Sequence, residues 1–292
     1  MKYRIVHVTR YHYEQTVAAC LNQTHLSPRS TMMQNCWESA VDISPGPNRR
    51  HAFEDYFGNS VLYFEVNQPH SELEVTATAL VDVRAHDAWR DTAHSPAWDS
   101  IVAGRTAWPA EHRRDAHEFR LDSPLIAADG DLAALARPSF PPGRPLLAAV
   151  AELSDRIHRE FSYAPAATTV STPIATVLQE RRGVCQDFAQ LAIGCLRSLG
   201  LPARYVSGYI ELRPAPGAAP MIGAAASHAW FSVLDPVFGW VDFDPTNDQL
   251  VGPCHVTTAW GRDYSDVTPL KGVIFGGGNH TLEVSVDMRR VD

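Results

Sequence analysis

Apolar and polar positions alternate with a period of two early in the chain and shift to a helical period near residue 146. Residues 3–9, 60–66 and 73–84 alternate and are rich in Val, Thr and aromatic side chains, the pattern of half-buried strands. Turn clusters lie between them, Ser44-Pro45-Gly46-Pro47-Asn48 and Gly58-Asn59. Strands at this spacing predict a β-rich domain over residues 1–85, a β-sandwich or a small barrel. Residues 86–145 lose the alternation. Trp89, Trp98 and Trp108 sit among Ala, His, Arg and Asp, and a Pro-rich stretch follows at 137–145. A connecting, partly helical segment is expected there, with the domain boundary near 85–90.

Residues 146–292 read as a second domain. Leu146, Leu147, Val150, Leu153, Ile157 and Phe161 share one helix face. A short helix is expected to start with Thr172 as cap and Pro173 at its first position, and to end before Gly183. Residues 184–199 are apolar on nearly all sides and predict a buried central helix, with Gly200 and Pro202 as its stop signal. Strand-like runs follow at 203–212, 228–234 and 239–244. A long loop of small residues is expected at 214–226. The last run, 281–288, alternates again and is expected to close the sheet of this second domain. The fold class is thus α+β.

Composition narrows the function. The 292-residue chain is 45% hydrophobic, enough for a substantial core, and no apolar run reaches the roughly 18 residues of a membrane span. The first residues lack the apolar centre of a signal peptide, so a cytoplasmic location is expected. With 25 Lys and Arg against 33 Asp and Glu, the net charge of −8 argues against a nucleic-acid partner. Five Cys are present: Cys20, Cys36, Cys185, Cys195 and Cys254. No pair has the C-x-x-C spacing of a zinc or redox site, so the question is which thiol is reactive.

Cys185 is placed for chemistry. It falls at the predicted N-terminus of the central helix, where free N–H groups and partial positive charge favour a thiolate and can stabilise an oxyanion. A buried, inert thiol is the plain alternative. His228 opens a strand and faces the same way as Trp230 and Ser232, and Asp244 ends the next strand. An intervening hairpin, Asp235-Pro236-Val237-Phe238-Gly239, lets antiparallel pairing bring His228 and Asp244 together. Asp242 has the same parity as Asp244, and spacing alone does not separate the two. His255, Arg262, Asp263 and His280 are further polar candidates for a cleft or ion, without metal-ligand spacing.

Four ordered blocks carry a family resemblance: Arg182-Gly183-Val184-Cys185-Gln186-Asp187-Phe188-Ala189, Gly200-Leu201-Pro202-Ala203-Arg204-Tyr205-Val206-Ser207-Gly208-Tyr209, His228-Ala229-Trp230, and Gly239-Trp240 through Asp244-Pro245-Thr246-Asn247. Together they resemble the bacterial transglutaminase-like proteins, a group often described as cysteine proteases. In the first half, Asp55-Tyr56-Phe57-Gly58-Asn59 and Pro69-His70-Ser71-Glu72-Leu73 resemble that family's β-rich amino-terminal domain. Gly261-Arg262-Asp263-Tyr264 matches a late block. The resemblance implies a papain/transglutaminase-like core in which a central helix packs on an antiparallel sheet. It implies Cys185 as nucleophile, His228 as general base and acid, and Asp244 rather than Asp242 as the orienting carboxylate.

The expected reaction is acyl transfer from an amide through a thioester, on a protein or peptide substrate, with no cofactor and no metal. A cysteine peptidase or amidase is favoured. The alternatives are a true transglutaminase, which passes the acyl group to an amine, and a non-enzymatic peptide- or glycan-binding protein. Trp230, Trp240 and Tyr163 are the candidates for substrate contact, with sheet packing the competing role of the two tryptophans. Asp187, in the first helical turn, reads as a capping residue.

Overall fold

The computed structural model describes residues 1–84, 92–165, 167–211 and 227–291. The first half contains β1 (Lys2–Thr24), β2 (Gln34–Ser44), β3 (Arg49–Glu54), β4 (Ser60–Val66) and β5 (His70–Val83). The second contains α1 (Trp98–Val102), α2 (Arg113–Glu118), α3 (Gly130–Ala136), α4 (Leu146–Glu160), β6 (Ser162–Tyr163), α5 (Ile174–Glu180), β7 (Arg182–Gly183) and α6 (Cys185–Ser198). These lead into β8 (Ala203–Ile210), β9 (His228–Asp235), β10 (Gly239–Asp244), β11 (Gln249–Leu250), β12 (His255–Gly261), α7 (Tyr264–Val267), β13 (Leu270–Gly276) and β14 (His280–Arg290). The boundary expected at 85–90 and the loop expected at 214–226 lie outside the described residues.

The five strands of the first half, together with β13 and β14, form one curled seven-stranded sheet built on β1. Residues 2–12 of β1 pair with β5 on one edge while residues 3–13 pair with β14 on the other. Beyond a register break, residues 20–24 pair with β4 while β13 runs along residues 17–24. A strand of 23 residues thus takes two sets of partners, and the β-rich domain expected from the alternation is this curled sheet. The terminal run expected to close the second sheet pairs instead with β1, as β14. The open edge it would have filled, on β12, is already satisfied by side chains from the first half.

Those side chains are two buried amides. Gln34 donates to the Thr257 carbonyl at 2.8 Å and accepts from the Thr257 N–H at 2.8 Å. Asn59 does the same for Trp260, at 2.8 and 2.9 Å. Each imitates a strand neighbour, so the edge of β12 exposes no unpaired backbone at these positions.

The core sheet runs β11-β10-β9-β8-β12, antiparallel throughout. Alternate residues Ala203, Tyr205, Ala229, Phe231, Val233, Val241 and Phe243 pack with Phe188, Leu191, Ala192, Cys195 and Leu196 of α6 in one buried cluster. The opposite parity carries His228, Trp230, Ser232, Asp242 and Asp244, so the apolar face holds the helix and the polar face is left for the site. Helix α5 begins one residue later than expected. Pro173 is its extended N-cap, because the Thr172 hydroxyl accepts from the Thr169 N–H in the preceding turn rather than capping the helix.

Candidate active site

Cys185 opens α6. The helix start is fixed by Asp187, whose Oδ2 accepts from the Val184 N–H at 2.8 Å and from the Thr168 hydroxyl at 2.6 Å. This is the capping position expected for it. Gly183 permits the approach, since a Cβ there would stand 2.8 Å from the Asp187 side chain. Cys185 is partly buried, as are Cys36 and Cys254, whereas Cys20 and Cys195 are fully buried. Burial pushes the Cys195 thiol up to about 12, so it stays protonated.

His228 and Asp244 are both buried, and the His228 Nε2–H donates to Asp244 Oδ2 at 2.8 Å. Asp244 is held from all sides. Its Oδ1 accepts from the Thr246 and Asn247 N–H groups at 3.0 and 3.2 Å, and its Oδ2 from the Asn247 amide at 2.8 Å. Burial alone would raise the Asp244 pKa, but His228 and then His255 hold it well below the usual carboxylate range. Burial would likewise lower the pKa of His228. The Asp244 carboxylate outweighs that effect, the Cys185 side chain adds to it, and the net shift is upward. Nδ1, the other ring nitrogen of His228, is buried without a hydrogen-bond partner among the described residues.

Asp242 shares the face of Asp244, as its parity requires, but its Oδ2 accepts from the Trp230 indole at 3.3 Å rather than from His228. Trp230, expected near substrate, is fully buried between the rings of His228 and His255. It supports the site from beneath and has no surface to offer a substrate in this conformation. Gly208 makes room for it, since a Cβ there would lie 2.5 Å from the Trp230 ring and 2.1 Å from the Val256 carbonyl. Trp240 is half-exposed, stacks on Arg204 and donates to Asp115 at 3.2 Å. Tyr163 pairs through β6 with Gly183, two residues before Cys185. Burial, then Cys185 and Asp187, raise its phenol to about 12.

His255, expected only as a candidate for a cleft or an ion, lies beside Asp244. Its Nε2 lies 3.3 Å from Asp244 Oδ2, and its Nδ1 accepts from the Gly252 N–H at 3.3 Å with Cys254 Sγ also at 3.3 Å. His228, Asp244 and His255 have the composition of a cation site, but both rings already point an N–H at the carboxylate, which hydrogen bonding satisfies. The remaining polar candidates are dispersed. Asp263 caps α7, Arg262 pairs with Asp266 at 2.9 Å, and His280 lies beside Tyr11 and Tyr13. A cavity of about 990 Å³ is lined by parts of α3 and α5 and includes neither Cys185 nor His228.

Comparisons with known proteins agree with this architecture. Residues 3–82 match the bacterial transglutaminase-like N-terminal region, and residues 134–245 match the transglutaminase-like superfamily. An uncharacterized protein of Mycobacterium tuberculosis is 41% identical over 292 residues, covering 98% of this chain and 92% of that one. A protein-glutamine gamma-glutamyltransferase of Pseudomonas aeruginosa is 28% identical over 65% of this chain and 30% of its own length. The crystal structure of a "Putative Cysteine Protease" from Cytophaga hutchinsonii has the same fold, with a TM-score of 0.76 and 22% identity over 100% of this chain and 91% of that one. Among the described residues, no helix is long and apolar enough to cross a membrane. The chain belongs to the transglutaminase-like superfamily, with that superfamily's bacterial N-terminal region ahead of its core.

Proposed function

We propose that this chain is a Cys-His-Asp acyl-transfer enzyme acting on amide bonds of a protein or peptide through a thioester on Cys185. The observation that carries the reading is the buried His228–Asp244 pair, which leaves His228 Nδ1 without a partner among the described residues, with Cys185 adding to the upward shift of the His228 pKa. Asp244 orients the imidazole and favours its protonated form.

In the first step the Cys185 thiolate attacks the amide carbon and the carbonyl π pair moves to oxygen. N–H groups at the start of α6 supply donors for that oxyanion. The His228 imidazolium gives its Nδ1 proton to the leaving nitrogen, the C–N bond breaks, and a thioester remains. In the second step an acceptor attacks the thioester, His228 takes the acceptor's proton, and the C–S bond breaks to regenerate the thiolate and imidazolium.

Water is the favoured acceptor. Trp230, whose ring lies beside that of His228, is fully buried and has no exposed surface with which to wall a water-excluding channel. A second reading, with a primary amine as acceptor, is favoured by the likeness to the Pseudomonas aeruginosa gamma-glutamyltransferase. Incubating the protein with casein and a fluorescent primary amine separates the two. New peptide termini or deamidated glutamines, absent with Cys185→Ala, are expected. Amine incorporation without either would establish the transferase reading. No difference between wild type and Cys185→Ala would end the enzyme reading.

A further inference from the structure

A cavity of about 550 Å³ lies between the two halves of the chain. Thr31 to Gln34, Val83 and Arg84 line it from the first half, and Arg204, Trp240, Asp242, His255 and Trp260 from the second. Of the charged groups that line it, Arg84 is exposed, whereas Arg204 and Asp242 each carry a buried polar atom without a partner among the described residues. Arg204 is only 6% exposed, its guanidinium lies between the Trp240 and Trp260 rings at 4.2 and 3.9 Å from their centroids, and its unpartnered atom is Nε. Asp242 has one oxygen on Trp230, and the other, Oδ1, is the unpartnered one.

Register explains the pairing of these two groups. Arg204 is opposite Ser232 across β8 and β9, and Ser232 is opposite Asp242 across β9 and β10. The Ser232 hydroxyl also lacks a partner among the described residues. One cross-strand row therefore places a cation, a hydroxyl and a carboxylate side by side, each with an unsatisfied polar atom. Orphaned buried polar groups are costly and rare. The described structure shows no ion pair between Arg204 and Asp242, and strands two apart put about 10 Å between their backbones. The gap suits a molecule that carries both charges. Burial opposes the charged form of Arg204 and pulls its pKa down to about 9, with Asp242 acting against that shift. A ligand carboxylate would act in the same direction as Asp242.

We infer that this cavity binds a free α-amino acid with a large apolar side chain, its carboxylate on Arg204 and its ammonium on Asp242. The side chain would rest among Met33, Val83, Phe238 and the two tryptophans. An anion alone would leave Asp242 unmatched, and a cation alone would leave Arg204 unmatched.

The test reads binding only and is independent of the chemistry assigned to Cys185. Wild-type protein is titrated calorimetrically with L-phenylalanine, with N-acetyl-L-phenylalanine, which lacks the ammonium, and with L-phenylalaninamide, which lacks the carboxylate. Saturable binding of phenylalanine is expected, with each derivative at least about tenfold weaker. Arg204→Met should abolish binding. Asp242→Asn keeps the side-chain shape, so it serves where Arg204→Met does not fold, and it should remove the discrimination against the N-acetyl derivative. Absence of phenylalanine binding, equal binding of all three compounds, or unchanged selectivity in Asp242→Asn would overturn the inference.

Discussion

At the scale of single residues, His228 is subject to two opposed influences. Burial disfavours its charge and the Asp244 carboxylate favours it, and the carboxylate prevails. A raised pKa means that the folded protein keeps the proton beyond the ordinary histidine value of 6.5. The stability contributed by this ion pair is fully present below that value and is lost as pH rises through the raised one. For Asp244 the sign is reversed: its contribution is present above the ordinary value of 3.8 and is lost as pH falls toward the depressed one. The alkaline limb of kcat/KM is therefore expected above 6.5 in the wild type. Asp244→Asn should move that limb downward, because burial is then opposed only by the weaker effect of Cys185, and should lower kcat by about 10²–10⁴. A pH–rate profile with an unshifted limb would contradict the role given to Asp244. The sequence made Cys185, His228 and Asp244 legible through ordered blocks. It marked His255 only as a polar candidate and did not reveal its contact with Asp244, which arises because β12 is bulged between Thr257 and Ala259 and returns His255 to the polar face.

At the scale of elements, alternation made β4 readable, turn residues bounded β10, and an apolar run with a Gly200 and Pro202 stop marked α6, each within a residue or so at each end. β1 was read as far as residue 9 but runs to Thr24, because Glu14, Gln15 and Thr16 are consecutively exposed where the register breaks. β3 is exposed at all six positions, so no alternation marks it. Glycine placement gives a sharper test of packing. Gly208→Ala forces a Cβ into the Val256 carbonyl and the Trp230 ring, whereas Gly46→Ala meets nothing within 4 Å. Urea unfolding should show a loss of about 1–3 kcal/mol for the first and little change for the second. Equal values would mean that β8 and β12 do not approach as described. Asp187→Ala removes the acceptor for the Val184 N–H and should cost about 1–2 kcal/mol.

At the scale of the whole molecule, the two halves share structure in both directions of the chain. The end of the sequence returns to the first sheet as β13 and β14, and Gln34 and Asn59 of the first half complete the edge of β12. Tyr3, Ile5, Val81 and Val83 share a buried cluster with Tyr209 and Val256 of the core sheet. Alternation along the chain identifies strands but not their partners, so the pairing of β14 with β1 was not legible. The Asp55–Asn59 segment was visible as a block, and its use as a clamp on Trp260 was not. Asn59→Ala leaves the Trp260 N–H and carbonyl without this partner and should destabilise the protein by about 2–4 kcal/mol. Amide exchange at Trp260 should accelerate accordingly, and an unchanged rate would show that the clamp does not hold this edge.

The central claim is that Cys185 forms a thioester. Its most direct test is a burst experiment with p-nitrophenyl acetate, followed by peptide mapping of the quenched protein. A nitrophenolate burst stoichiometric with enzyme is expected, with the acetyl group on Cys185, removable by hydroxylamine and absent from Cys185→Ala. Acetylation spread equally over Cys36, Cys185 and Cys254, or a burst that survives in Cys185→Ala, would contradict the account.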